Sequence, residues 1–342
     1  MRVGLVSSAV PLIQGGARFI VDWLHEKLVE RGHEVETIFL PFVDDPRTVL
    51  EQTMAFRLLR LDAFERVITF RPPAHVVRHR CKVVWFIHHI RIFYDLWDTH
   101  YRDFPETLAT AGLRETIMQA DTAALREAHR LFTNSRIVGE RLRRFNGLES
   151  EVLYPPVAYP EIFTEGIRGD EIVCVCRMEA HKRQHLLIQA MRHVRSGVRL
   201  RLCGVASAAS YLDELRALAA PLGDRVTIES RWITEEEKAA ALASSLAAAY
   251  VPYDEDSYGY PTIEAAHARR ATVTVADAGG VAEFVQDGVN GLVAAPEPEA
   301  VAAAFDRLFL DRALAASLGA AAEATIAARG IAWDQVIARL LA

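Results

Sequence analysis

Two stretches carry residue types whose spacing suits work on a phosphate anion. In Arg177-Met178-Glu179-Ala180-His181-Lys182, two cations stand five positions apart between a predicted strand, EIVCVC, and a predicted helix, HLLIQAM. Arginine offers a planar fork of donors and lysine a compact charge, so the pair can converge on a diphosphate and neutralise a leaving group as its bond breaks. A solvated surface pair is the plain alternative. In Asp256-Ser257-Tyr258-Gly259-Tyr260-Pro261-Thr262-Ile263-Glu264, acids eight positions apart flank a glycine loop that enters a helix. Backbone amides of such a loop can reach phosphate, the first acid can hold sugar hydroxyls, and Glu264 in the first turns of the helix can hold ribose hydroxyls.

The N-terminal part adds two smaller constellations. Gly15-Gly16-Ala17 follows the first predicted strand and opens a helix, where backbone amides and the helix N-terminus can approach an anion. The turn does not spell GxGxxG, and tight-turn glycines without a ligand are the alternative. His88-His89 sits at the end of the predicted strand KVVWFIH. A histidine there can act as a base, or merely pack. Further on, Ala278-Gly279-Gly280 and Asp287-Gly288-Val289-Asn290-Gly291 read as a second glycine loop and a turn-rich hairpin whose glycines are structural. Cys81, Cys174, Cys176 and Cys203 lie in apolar runs with no zinc-ligand spacing, so buried thiols and no metal site are expected.

These residues need a scaffold, and the patterning describes one. Apolar runs rich in β-branched residues alternate with longer helical patterns, beginning with MRVGLVS, ARFIVDWLHEKLVERG and HEVETIFLP. That order is the signature of parallel α/β layers. Further strands are predicted at 66–70, 82–88, 130–134 and 151–157. The stretch AYPEIFTEGIRGD then separates this set from a second one, which restarts at EIVCVCRM. At 342 residues and 51% hydrophobic the chain can form two cores. We expect an N-terminal domain over 1–160, a C-terminal domain over 161–325, and a final amphipathic helix within 326–342 that could pack across to the first domain. Two doubly wound, Rossmann-like domains would place a ligand cleft outside the carboxyl ends of their sheets.

Charge and hydropathy narrow the partners. The net charge is −6, yet the first 150 residues hold 21 Lys and Arg against 19 Asp and Glu, and the remainder 18 against 26. With Arg78, Arg80 and Lys82, the arginines Arg136, Arg141, Arg143 and Arg144 could form a basic patch for an anionic membrane or lipid-diphosphate acceptor; a merely solvated face is the alternative. Tyr94, Trp97 and Tyr101 could line an acceptor groove or pack in a core. No nucleic-acid partner is expected. The start reads as a strand, not a signal peptide, and no apolar run is long enough to span a bilayer, so a cytoplasmic protein is expected, with peripheral contact on the inner membrane face left open.

The order GGA, NS, PP, R-x4-K, D-x7-E and GGxxE…DGxNGLV resembles the GT-B glycosyltransferases of family 4 over essentially the whole chain. The resemblance implies a retaining hexosyltransferase that uses a nucleotide-diphosphate sugar as co-substrate, with no metal or other cofactor. It implies that Arg177 and Lys182 bind the diphosphate, that Gly259, Tyr260, Pro261 and Thr262 supply amides near phosphate and sugar, and that Glu264 holds the ribose. Gly16, beside Gly15, would close over the phosphate, His88 or His89 would touch the donor sugar, and Asn134-Ser135 would cap a helix. Two departures stand out: the family usually has Glu at Asp256, and usually Gly at Arg183. Glu255 could replace Asp256 if the loop were shifted. GDP-mannose is slightly favoured as donor over UDP-glucose or another GDP- or UDP-hexose, with a glycan or lipid-linked acceptor in surface polysaccharide synthesis. The rival readings are an NAD- or sugar-nucleotide-dependent enzyme of other chemistry, disfavoured by the missing GxGxxG, and a non-enzymatic two-domain sugar-binding protein, for which a diphosphate-binding cation pair would have no purpose.

Overall fold

The computed structural model describes residues 1–10, 16–99 and 102–342, which divide into two units, Met1–Pro155 with Ala332–Ala342, and Pro156–Ile331. In the first, strands β1 (Arg2–Ala9), β2 (Glu34–Pro41), β3 (Arg66–Thr69), β4 (Lys82–Phe86), β5 (Arg130–Thr133) and β6 (Glu151–Val152) form one sheet in the order β2-β1-β3-β4-β5-β6. Every pairing is parallel. Helices α1 (Gly16–Glu30), α2 (Val49–Arg57), α3 (Leu108–Arg126) and α4 (Arg136–Asn146) connect the strands. Strands covered on both faces are mostly apolar, and β4 is buried along its whole length. Helix α1 buries Ile20, Val21, Leu24 and Leu28, one stripe at helical spacing, against Val3, Leu5 and Trp85. The C-terminal helix, Trp333–Leu341, adds Trp333, Val336, Ile337 and Leu340 to that same core.

The second unit repeats the architecture with unrelated residues. Strands β7 (Glu171–Val175), β8 (Arg199–Cys203), β9 (Val226–Glu229), β10 (Ala247–Ala249), β11 (Thr272–Val275) and β12 (Gly291–Ala294) order as β12-β11-β10-β7-β8-β9, again all parallel. Between them run α5 (Gln184–Ala190), α6 (Ala209–Ala219), α7 (Glu235–Ser244), α8 (Tyr260–His267), α9 (Val281–Phe284), α10 (Pro298–Leu310) and α11 (Arg312–Ala328). The polar stretch before β7 is tied into this unit by arginines. The buried Arg270 donates to Gly166 O at 2.7 Å, Arg168 to Arg269 O at 2.9 Å, and Arg312 to Gly169 O at 2.6 Å.

Several local expectations change. The turn at 287–291 forms no hairpin: it feeds β12, which pairs parallel with β11. Only Cys174 and Cys203 are buried; Cys81 and Cys176 are partly exposed, and all four are free thiols. The proposed basic patch loses two members. Lys82 is fully buried, donating to the carbonyls of His75, Val77 and Ala124 at 2.8 to 3.1 Å, and Arg141 is largely covered and faces Asp95 at 3.7 Å. A cation on a central strand cannot reach solvent, so it hydrogen-bonds the nearest backbone carbonyls instead. Tyr94 and Trp97 are core residues. Tyr101 lies outside the described residues. Among the described residues no helix is long and apolar enough to cross a membrane.

Candidate functional site

The chemistry of the second unit gathers where β10 and β7 end. Just after β10, the chain from Asp254 to Gly259 is laid against the loop after β11. Asp254 N–H donates to Asp277 O at 3.0 Å and Gly280 N–H to Glu255 O at 2.8 Å. This contact is backbone on backbone and requires glycine twice. A Cβ on Gly279, whose φ is +65°, would stand 2.5 Å from the amide nitrogen and carbonyl oxygen of Glu255, and one on Gly280 would stand 2.6 Å from the carbonyl carbon of Ser257. Gly279 and Gly280 thus hold the acidic loop in place.

Lys182, at the end of the turn after β7, reaches across to that loop. Its Nζ donates to the Glu255 carboxylate and lies 2.9 Å from the hydroxyl of Tyr250, which in turn donates to Glu255 Oε2 at 3.0 Å. Burial alone would discourage a charge on Glu255, but the ion pair with Lys182 and the tyrosine hydrogen bond outweigh it and hold the carboxyl below its ordinary range. The acid that meets the lysine is therefore Glu255, not Asp256, which is partly exposed one position further along. Arg177 pairs with Glu179 at 2.6 Å and keeps much of its side chain in solvent. Glu179 also accepts from Ser207 at 2.7 Å. Each cation is thus matched by a carboxylate that an incoming anion could displace.

Arg183 follows Lys182 in the left-handed region, at φ +54°. This conformation explains why glycine suits the position. Arginine there is held by a fork onto Asp277 at 2.7 and 2.8 Å and by bonds to the carbonyls of Val251 and Pro252 at 2.8 and 2.6 Å. It ties the cation turn to both segments that carry the acidic loop.

The glycine loop enters α8 at Gly259, φ +70°, where a Cβ would collide with the Tyr250 ring. The expectation of four amide donors needs correction. Pro261 has no N–H, Gly259 N–H points to Ser257 Oγ at 3.3 Å, and Thr262 N–H returns to Gly259 O at 3.1 Å. Proline suits the first turn, where its ring favours helical φ, but it removes a donor. Tyr258 is buried against Phe284 with centroids 6.1 Å apart, and Thr262 is buried too. Glu264 keeps only 4% of its side chain exposed, and Lys238 on α7 donates to its Oε1 at 2.6 Å and to Glu235 at 2.9 Å. Those two carboxylates raise the pKa of Lys238 against the opposing effect of burial.

The first unit separates the two histidines. His89 is packed between Phe86 and Tyr94, ring centroids 4.8 and 4.2 Å away, and its Nε2 bonds Asn146 Oδ1 at 2.9 Å. At 1% exposure it cannot touch a ligand, because its aromatic neighbours enclose it. His88 remains partly exposed just beyond β4, with Nδ1 donating to His89 O at 2.6 Å. Burial, then the Arg71 charge, push its pKa down to about 4. Gly16 opens α1; Gly15 lies outside the described residues. Ser135 caps α4, its Oγ accepting from Val138 N–H at 3.1 Å. Among the described residues no three His, Cys, Asp or Glu side chains are grouped to hold a metal ion.

Sequence reasoning passed over Tyr250, Lys238 and Glu179. Tyr250 could have been flagged as an aromatic at a strand end facing a glycine loop. Lys238, within EEEKAA, signals only its local pair with Glu235, because Glu264 is 26 positions away.

A family model described as "Glycosyl transferases group 1" matches residues 169–311. A D-inositol 3-phosphate glycosyltransferase of Xylanimonas cellulosilytica is 30% identical over 226 residues, covering 60% of this chain and 52% of the relative. A GDP-mannose-dependent alpha-(1-6)-phosphatidylinositol monomannoside mannosyltransferase of Mycobacterium tuberculosis is 31% identical over 205 residues, or 57% and 53% of the two chains. The chain spans about half the length of these relatives. Among solved structures, Anabaena HepE in complex with UDP superposes with a TM-score of 0.73 at 17% identity over 100% of this chain and 99% of that one. Sucrose-phosphate synthase from Thermosynechococcus elongatus gives 0.78 at 17% identity, over 98% and 97%. These likenesses establish the fold: two doubly wound α/β domains of the GT-B type.

Proposed function

We propose that this chain is a glycosyltransferase that takes a hexose from a nucleoside-diphosphate sugar and passes it to a hydroxyl of a glycan or lipid-linked acceptor. The observation that carries this reading is the Lys182–Glu255–Tyr250 cluster, set beside Arg177 and the Gly259 loop inside the segment matched by the group 1 model. A cation held ready by a displaceable carboxylate suits a diphosphate, whose negative charge grows as the sugar leaves.

In this reading the bond between the anomeric carbon and the β-phosphate oxygen breaks and its electron pair stays on the diphosphate, facing Arg177 and Lys182. The acceptor hydroxyl oxygen bonds the anomeric carbon, with retention of configuration, and its proton passes to the leaving phosphate. Glu264, oriented by Lys238, takes the ribose hydroxyls. Ser257, Tyr260 and the acidic pair Glu255 and Asp256 border the sugar. No metal is required, since the cations supply the neutralising charge. GDP-mannose is slightly favoured as donor, supported by the name of the mycobacterial relative, while the UDP complex of the Anabaena neighbour keeps UDP-sugars in view. We place the enzyme in the cytoplasm, in surface glycan synthesis.

Calorimetric titration with GDP, UDP and NAD, without metal, tests the reading. One nucleoside diphosphate is expected to bind and to lose about tenfold or more in affinity in both Lys182→Ala and Glu264→Ala. NAD binding without GDP or UDP, or binding of free sugar alone, would overturn it.

A further inference from the structure

The carboxyl edge of the first unit's sheet holds a cation that the donor chemistry leaves unused. Ser8, Arg71 and His88 stand at the ends of β1, β3 and β4, three neighbouring strands. Arg71 is partly buried and forms no ion pair among the described residues; its one side-chain hydrogen bond there runs from Nη1 to Ser8 Oγ, at a long 3.4 Å. Other covered cations are treated differently. Lys82 meets three carbonyls and reaches Glu127, and Arg183 fills its fork with Asp277 and two carbonyls. A guanidinium has five donors, and taking it out of water without an acceptor is unfavourable. Asp44, exposed nearby, favours the Arg71 charge from a distance, yet burial still pulls the Arg71 pKa down. Arg71 stays partly exposed and none of its nitrogens is a buried orphan among the described residues, so its remaining donors are open to an incoming anion.

The neighbours define the ligand further. Ser8 donates its hydroxyl proton to Pro72 O at 2.6 Å, so toward Arg71 its oxygen is an acceptor and orients the guanidinium. His88 donates from Nδ1 to a carbonyl, which can only accept, so its Nε2 carries a lone pair. A planar cation beside a neutral imidazole acceptor matches a group that presents an anionic oxygen and a hydroxyl together.

We propose that Arg71, with Ser8 and His88, is the anion-binding site of the acceptor side, taking the phosphate of a hydroxyl-bearing phosphate ester, either a free polyol or sugar phosphate or the headgroup of a phospholipid. The acceptor role rests on the glycosyltransferase reading; the anion site does not.

The test titrates the full chain and its Arg71→Gln and Arg71→Lys variants with glycerol 3-phosphate, glycerol, GDP, UDP, and vesicles of phosphatidylcholine with or without phosphatidylinositol. The native chain should bind the phosphate ester and not glycerol. Arg71→Gln should weaken that binding about tenfold or more, with Arg71→Lys between them, while nucleoside diphosphate affinity stays within about twofold. Binding that needs the phosphatidylinositol vesicles identifies the headgroup as the source; binding of the soluble ester identifies the free form. Because Arg71 forms no ion pair among the described residues and its one side-chain hydrogen bond there is long, Arg71→Gln should melt no lower than the native chain. Ester binding that is absent from the native chain, that is unchanged in Arg71→Gln, or that falls in step with nucleotide binding overturns the proposal. If neither GDP nor UDP binds while ester binding still depends on Arg71, the donor reading fails and the anion site stands.

Discussion

Lys238 and Glu264 form a buried ion pair at 2.6 Å, with 12% and 4% of their side chains exposed. Such a pair contributes little when intact relative to apolar residues, but removing one partner leaves a desolvated charge. Lys238→Ala should therefore destabilise the second unit by about 3 to 5 kcal/mol, whereas Lys238→Ala with Glu264→Leu should recover most of that. Urea unfolding of the three proteins checks this. Equal loss in the single and double variants would mean that the pair's charge is not what matters.

In the proposed reading, Glu255, paired with Lys182, competes with an incoming anion for it. Glu255→Gln should leave nucleoside diphosphate affinity equal to or a few times tighter than in the native chain, because the lysine no longer has to give up a carboxylate. Asp256→Asn should change that affinity by less than about twofold. Titration of both variants separates the two acids, and a large loss of affinity in Glu255→Gln would show that the carboxylate orients the lysine instead of competing with the ligand.

At Arg183, two effects oppose each other. Left-handed backbone costs a side chain about 1 to 2 kcal/mol, which glycine would relieve. The bidentate bond to Asp277 and the two carbonyl bonds would be lost at the same time, about 0.5 to 1.5 kcal/mol for each neutral bond and more for the charged fork. The sum favours arginine, so Arg183→Gly should lower stability by about 1 to 3 kcal/mol in denaturant unfolding. A more stable glycine variant would show that the strain outweighs the fork.

His89 should remain neutral to low pH. Burial is the main cause, and it prevails over Asn146, Asp121 and Asp95, which favour the charge, with His75 acting in the same direction as burial; the pKa falls to about 4. For a base whose folded pKa lies below its unfolded value of about 6.5, protonation favours unfolding. Stability is thus complete above about pH 6.5 and declines as pH falls toward 4, by about 3 kcal/mol from this group. The histidine NMR titration measures the pKa directly, and a value near 6.5 for His89 would remove this contribution.

Much of the scaffold was legible locally. Alternation of β-branched apolar runs with helical stripes announced parallel layers, because a strand covered on both faces is mostly apolar and a helix covered on one face is striped. Strand ends were overextended: KVVWFIH stops pairing at Phe86 and EVLYPPV at Val152. Apolar composition continues past the last ladder bond, since loops at the sheet edge are buried as well.

By itself, then, the sequence determined the layered class of the fold, the loops in which chemistry-bearing residues fall, and the glycines those loops require. Which groups meet was decided only by tertiary structure. Glu255 lies 73 residues from Lys182 and Glu264 lies 26 from Lys238, so their pairing depends on strand order and register. The same holds for adjacent residues: His88 and His89 leave β4 toward different surroundings, one half-open and one enclosed by Phe86, Tyr94 and Phe145. Lys82 is buried while Arg71 is partly exposed and forms no ion pair among the described residues, and nothing in their neighbouring residues tells them apart. A side chain's charge is local, but its burial and its partner are set by chain segments far away in sequence.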